Sequence, residues 1–141
     1  MYNVNKEQIQ LRLDYITKVE QIVTELRKSI QADSLIHQFA LERAVHAAAE
    51  SVTDIGNYMI DGFVMRDAAS YEDIIDILYG EQVFPQEVYD VISLLVRLRK
   101  PLVQNYHEVN EQELLTLLQQ LPEGLHQFAQ CVEQYILKEL I

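Results

Sequence analysis

Apolar residues return every three or four positions from about Asn5 to Ile30, through Ile9, Leu13, Ile16, Val19, Val23, Leu26 and Ile30. That spacing predicts one face of a long amphipathic helix. A second run through Leu41, Val45, Ala48, Val52, Ile55 and Met59 predicts another helix to about Ile60, opened by Asp33 or Ser34 as cap. Its small residues Ala44, Ala47, Ala49 and Gly56 allow a neighbour close, so the two helices are expected to pair antiparallel. Asp61-Gly62 reads as a stop, and Ser70 with Asp73 resembles a cap for a short helix ending at Gly80. Pro85 suits the first turn of a fourth helix, to about Leu98, that is apolar almost all round and broken only by Asp90, Ser93 and Arg97. A small bundle covers such a helix on one side, so this surface is expected to form a subunit interface. Pro101 predicts a turn or loop from Arg99 to Val109. Asn110 with Glu113 caps a further helix, and Pro122 opens the last one, through Leu125, Phe128, Val132, Tyr135, Ile136 and Leu140. The expected fold class is all-α, an antiparallel four- to five-helix bundle.

Composition narrows the class. The 141 residues suit one domain, 1–141, with a real core. A formal charge of −11 excludes a basic nucleic-acid coat, and 4 Gly with 3 Pro leave few chain breakers, as a helical protein requires. Cys131 stands alone, so neither an internal disulfide nor a thiolate metal cluster is available. An unreactive, partly buried thiol is expected there. Met1 to Gln10 lack an apolar signal core and no run approaches the eighteen or so residues of a membrane span, so the expectation is a cytoplasmic protein with no membrane partner.

Few residues offer chemistry. Glu42, His46, Glu50 and Asp54 follow one another at four-residue spacing along the second helix. They could donate carboxylate and imidazole to a metal or simply form a polar stripe making interhelical hydrogen bonds. A di-metal bundle needs two Glu-x-x-His pairs, and only Glu123 to His126 has that spacing, so no metal is expected. The glycines are isolated and no serine sits in a nucleophile elbow, so no cofactor is expected either. The segment Arg97 to Glu108 gathers three of the 11 basic residues with Tyr106 and His107 at a helix break. Arginine forks onto phosphate and histidine moves protons. The same basic residues equally complement a helix carboxyl end.

At this point the chain resembles the HepT-like proteins of the HEPN superfamily, helical toxin components of toxin–antitoxin pairs. The resemblance is carried by Leu41 to Gly56, Tyr71 to Leu78, the Phe84-Pro85 junction and Tyr106-His107-Glu108-Val109-Asn110, in the family's order. It implies a metal-independent endoribonuclease acting as a two-fold homodimer, the toxin of a type VII-like system. The implied partners are RNA and a small nucleotidyltransferase antitoxin that transfers AMP to a motif tyrosine. The family signature is Arg, four to six residues, His, one residue, Tyr. On this chain it places Arg99 and Tyr106 at the motif positions, with Gln104 where histidine is expected. An amide does not titrate near neutrality, so Gln104 cannot act as general acid or base. His107 is the candidate stand-in. The alternative is a catalytically silent HEPN dimer that regulates or binds RNA or a partner.

Overall fold

The protein was described from a computed structural model that covers residues 1–29 and 34–141. In chain order these form α1 (Lys6–Lys28), α2 (Leu35–Gly62), α3 (Tyr71–Gly80), α4 (Gln86–Arg97), α5 (Arg99–Gln104), a 3₁₀ turn at Tyr106–Glu108, α6 (Glu111–Leu118) and α7 (Leu121–Glu139). No strand occurs among the described residues. Polar caps start the helices as their spacing predicts. The side-chain oxygens of Asn5, Ser34, Ser70 and Asn110 accept from the backbone N–H three residues on, at 3.2, 3.2, 3.1 and 3.2 Å. Each satisfies a donor that the helix itself leaves unpaired. Pro122 lies in the first turn of α7, where its missing N–H costs nothing. Ile30 and Asp33, expected as the end of the first helix and an alternative cap, lie outside the described residues.

Helix α1 lies between α2 and α7 and runs against both. Near its start Arg12 reaches Asp54, late in α2, at 3.2 Å. Near its end Arg27 bonds the Gln119 carbonyl at 3.0 Å and Glu123, at the head of α7, at 2.7 Å. Ile9, Leu13, Ile16, Val19 and Val23 form the buried stripe of α1, as the periodicity requires. They join Leu41, Val45, Val52, Ile55, Ile92, Leu95, Leu125 and Phe128 in one core. Two glycines permit the close packing. A Cβ at Gly56 would stand 2.3 Å from Ile74 Cγ2 on α3, and one at Gly124 would stand 2.6 Å from Val91 Cγ1 on α4. Gly62 does not end α2 by adopting a left-handed turn; it lets the amino-terminal segment approach, and Asn3 donates to its carbonyl at 2.9 Å. The left-handed residue beyond is Val64, at φ 55°.

Two expectations are corrected. The apolar fourth helix is largely covered by its own chain: α2, α3, α6 and α7 pack on α4, burying Val88, Val91, Ile92, Leu95 and Val96, while Tyr89 and Leu94 are half-buried. Periodicity shows an all-round apolar helix but not that its own chain surrounds it. Large apolar side chains remain exposed elsewhere, including Ile22 on α1 and Leu35, Ile36 and Phe39 on the opening turns of α2. Second, Arg99 to Gln104 form a helix rather than a loop. Pro101 is the third residue of α5, inside the first turn where no intrahelical N–H is needed, and Leu102 resumes the ladder by donating to Leu98 at 3.3 Å. Helices α4 and α5 are therefore nearly continuous, joined at Leu98.

Candidate functional site

The join at Leu98 sets Arg99 on the first turn of α5, against the middle of α2. There its Nε donates to Glu50 Oε1 at 2.6 Å, while its guanidinium carbon lies 3.9 Å from the centre of the Tyr71 ring. One edge and one face of the guanidinium are thus held by a carboxylate and an aromatic ring, each a favourable partner for a planar cation. The two terminal amino groups keep their donors, a fork suited to phosphate oxygens. The Arg99 side chain is only 20% exposed, so it is positioned rather than free to sweep.

The same Glu50 oxygen lies 3.3 Å from His46 Nε2, one helical turn earlier on α2. His46 is a third exposed, at 33%. One more turn back, Glu42 meets Glu111 at the start of α6. Burial, the hydrogen bond with Glu42 and repulsion by its charge push the Glu111 carboxyl from its ordinary 4.5 up to about 7. The first turn of a helix ordinarily favours a carboxylate, so these causes outweigh the dipole. Further along the stripe, Asp54 is taken by Arg12. The polar stripe of the second helix is therefore chiefly an array of interhelical partners. Among the described residues no three histidine, cysteine or acidic side chains converge in a way that could hold a metal ion.

The remaining motif residues follow on the surface. Gln104 closes α5 and is exposed; Tyr106 and His107 stand in the 3₁₀ turn, Tyr106 at 71% exposure. Tyr106 and His107 meet edge to face at 5.8 Å between ring centres, and His107 Nε2 lies 3.5 Å from Glu108. His107 makes its contacts with its own turn, whereas the histidine that shares a carboxylate with Arg99 is His46. Cys131 is half-buried on α7, where burial and then the charge of Glu87 push its thiol pKa up, away from the reactive thiolate. Glu50, Tyr71 and Glu111 were not singled out as members of one site by the sequence. The four-residue stripe on the second helix was the visible signal for Glu50, but its partner lies 49 positions away.

This arrangement of helices is the fold of the HEPN toxins. A solved structure of a tri-AMPylated Shewanella oneidensis HEPN toxin in complex with MNT antitoxin superposes with a TM-score of 0.80 at 18% identity, covering 90% of this chain and 97% of that one. Sequence then takes the assignment further. Residues 12–132 match the family model described as "Ribonuclease HepT-like". The Bacillus subtilis (strain 168) protein called "Putative RNase YutE" is 35% identical over 140 residues, spanning 99% of this chain and 95% of its own. A solved structure of YutE, described as a cytosolic protein of unknown function, matches with a TM-score of 0.88 at 34% identity, over 99% of this chain and 96% of that one. The chain belongs to the HepT-like ribonuclease family. Among its described residues no helix is long and apolar enough to cross a membrane.

Proposed function

We propose that this chain is a metal-independent endoribonuclease toxin of a type VII-like toxin–antitoxin pair, cytoplasmic and acting as a homodimer. The observation that carries the reading is the clamp on Arg99, held by Glu50 and Tyr71 with no hydrogen bond at its terminal amino groups among the described residues, shortly before the exposed Gln104 and Tyr106. A cation fixed in this way stabilises charge building on a crowded phosphate without reorganising first. The two-fold pairing would bring two Arg99–Tyr106 segments near one axis. Incubating the protein with tRNA and total RNA, with and without chelator, tests the activity. Chelator-resistant cleavage that Arg99→Ala abolishes is expected, and intact RNA after prolonged incubation of the folded dimer would refute it. Light scattering tests the dimer.

In this reading the antitoxin is a small nucleotidyltransferase, and Tyr106 is the acceptor whose phenolic oxygen takes AMP. A charged nucleotide placed there would occupy the phosphate site beside Arg99, so modification and RNA binding should exclude each other. Co-expression with a cognate transferase should add AMP, a gain in intact mass that Tyr106→Phe removes. A second reading, a silent dimer that binds RNA or a partner, is favoured by the amide at Gln104 and by the −11 charge. Gln104→His separates the two, since restored cleavage in that variant alone identifies a family groove that lacks only its proton carrier.

A further inference from the structure

We propose that His46 is the group that takes the proton during RNA cleavage in this chain, supplied by α2 in place of a histidine at position 104. The inference rests on the ribonuclease reading. Cleavage through the RNA's own 2′-hydroxyl requires a titratable group beside the cation that holds the phosphate. Gln104 has none, and His107 turns toward Glu108 in its own 3₁₀ turn. The histidine the fold brings to Arg99 is His46, whose Nε2 lies 3.3 Å from the Glu50 oxygen that Arg99 Nε bonds at 2.6 Å. Imidazole, carboxylate and guanidinium form one row across α2 and α5.

That row suits a base. With Nε2 turned to the Glu50 carboxylate, the ring is oriented so that Nδ1 is the nitrogen left to accept a proton. In the step itself the 2′-oxygen bonds to phosphorus, its proton passes to the imidazole, and the bond from phosphorus to the 5′-oxygen breaks. The leaving oxygen takes a proton from water and the hydroxide left behind takes up the proton held by the imidazolium, giving a 2′,3′-cyclic phosphate, a 5′-hydroxyl end and neutral His46. Arg99 holds the non-bridging oxygens through its terminal amino groups. The other charged groups along this face are Glu42 and Asp54 on α2, Glu111 from α6 and Arg12 from α1. Of these, Glu111 meets Glu42, and Asp54 is paired with Arg12. Among the described residues no lysine and no arginine other than Arg99 is paired with Glu50, so the carboxylate is shared between Arg99 and His46 alone.

The test compares wild type with His46→Ala, His46→Gln and His107→Ala on a fluorescent single-stranded RNA, with its 2′-O-methyl counterpart as an uncleavable binding probe. His46 is partly exposed, and circular dichroism together with probe affinity checks that the variants fold. Both His46 variants should lose about a hundred- to ten-thousand-fold in cleavage rate while binding the probe as wild type does. The wild-type rate should fall toward acid as the base is protonated, and His46→Gln should lack that limb. Glu111→Gln should keep it, which separates His46 from the other titrating group on this face. His126→Ala, whose partner is Glu20 of α1, should leave the rate unchanged. Full activity in His46→Ala, or a loss in His107→Ala instead, overturns the assignment to His46 while leaving the ribonuclease reading intact. A wild-type protein that binds the probe and never cleaves the RNA overturns both.

Discussion

Glu111 offers a prediction whose magnitude follows from the structure. Burial and the facing Glu42 hold its carboxyl at about 7 in the folded chain, against an ordinary 4.5. Below pH 4.5 the folded and unfolded chains both carry the neutral acid, and Glu111 costs nothing. Between 4.5 and 7 the unfolded chain ionises while the folded one keeps its proton, so stability falls as pH rises. Above 7 the loss is complete, because the folded chain then carries two carboxylates face to face. At 1.36 kcal/mol per pH unit the interval corresponds to an upper figure of roughly 3 kcal/mol. Water and ions reach the partly open carboxyl, and this screening reduces the figure to about 1–2 kcal/mol. Glu111→Gln keeps the shape and the donor but removes the charge. It should stabilise the protein by about 1–2 kcal/mol at pH 8 and by about zero at pH 4.5. Urea unfolding at both pH values measures the difference, and the melting temperature at pH 8 should rise by roughly 2–8 °C. In a Glu42→Gln background part of the gain should vanish, because the like charge has already been removed, while the part that comes from burial, the largest single cause, should remain. The same gain at both pH values, or none at pH 8, would refute the reasoning.

Two further outcomes follow from packing and from a surface pair. Gly124→Ala places a methyl 2.6 Å from a stiff valine on α4, so it should destabilise by about 1–3 kcal/mol, and Val91→Ala should relieve part of that loss when combined with it; thermal melts of the single and double variants check this. Asp73 is held at about 2, first by the hydrogen bond from Arg66 and then by the Ala69 N–H, so its carboxyl carbon should titrate near 2 by NMR, and Arg66→Ala should return it toward the ordinary 3.8. The stabilisation that Asp73 contributes is present above 3.8 and is lost as pH falls through about 2.

Much of the fold was legible because helix formation is decided locally. The apolar stripe of α1, the caps at Asn5, Ser34, Ser70 and Asn110, and Pro122 at the head of α7 each concern residues within a turn or so of one another. What escaped was set by neighbours distant in sequence. An apolar helix is read the same way whether a second subunit or four helices of its own chain cover it, and α4 is covered largely by its own chain. Pro101 was read as a breaker, yet a proline in a first turn is as compatible with starting a helix as with ending one. The motif positions Arg99 and Tyr106 were visible through order and spacing, whereas the partners of Arg99 come from α2 and α3 and carry no local signature.

The charge balance of this face bears on how an acidic chain could meet an anionic substrate at all. A net charge of −11 repels a polyanion at long range, but screening confines that repulsion to about 8 Å at physiological salt. What matters within that distance is the local count. The stripe carries three glutamates at Glu42, Glu50 and Glu111. One of them spends its charge on Arg99, and another has its carboxyl pushed up to about 7 by burial and by Glu42. Arg97 and Lys100 lie on the same helical join and are exposed. The surface around Arg99 is therefore less negative than its carboxylates alone imply, and the raised pKa of Glu111 contributes to that difference. Charge on this face is governed by pairing across α2, α5 and α6, so a global count of acids and bases misses the local balance around Arg99 on which the proposed phosphate contact depends.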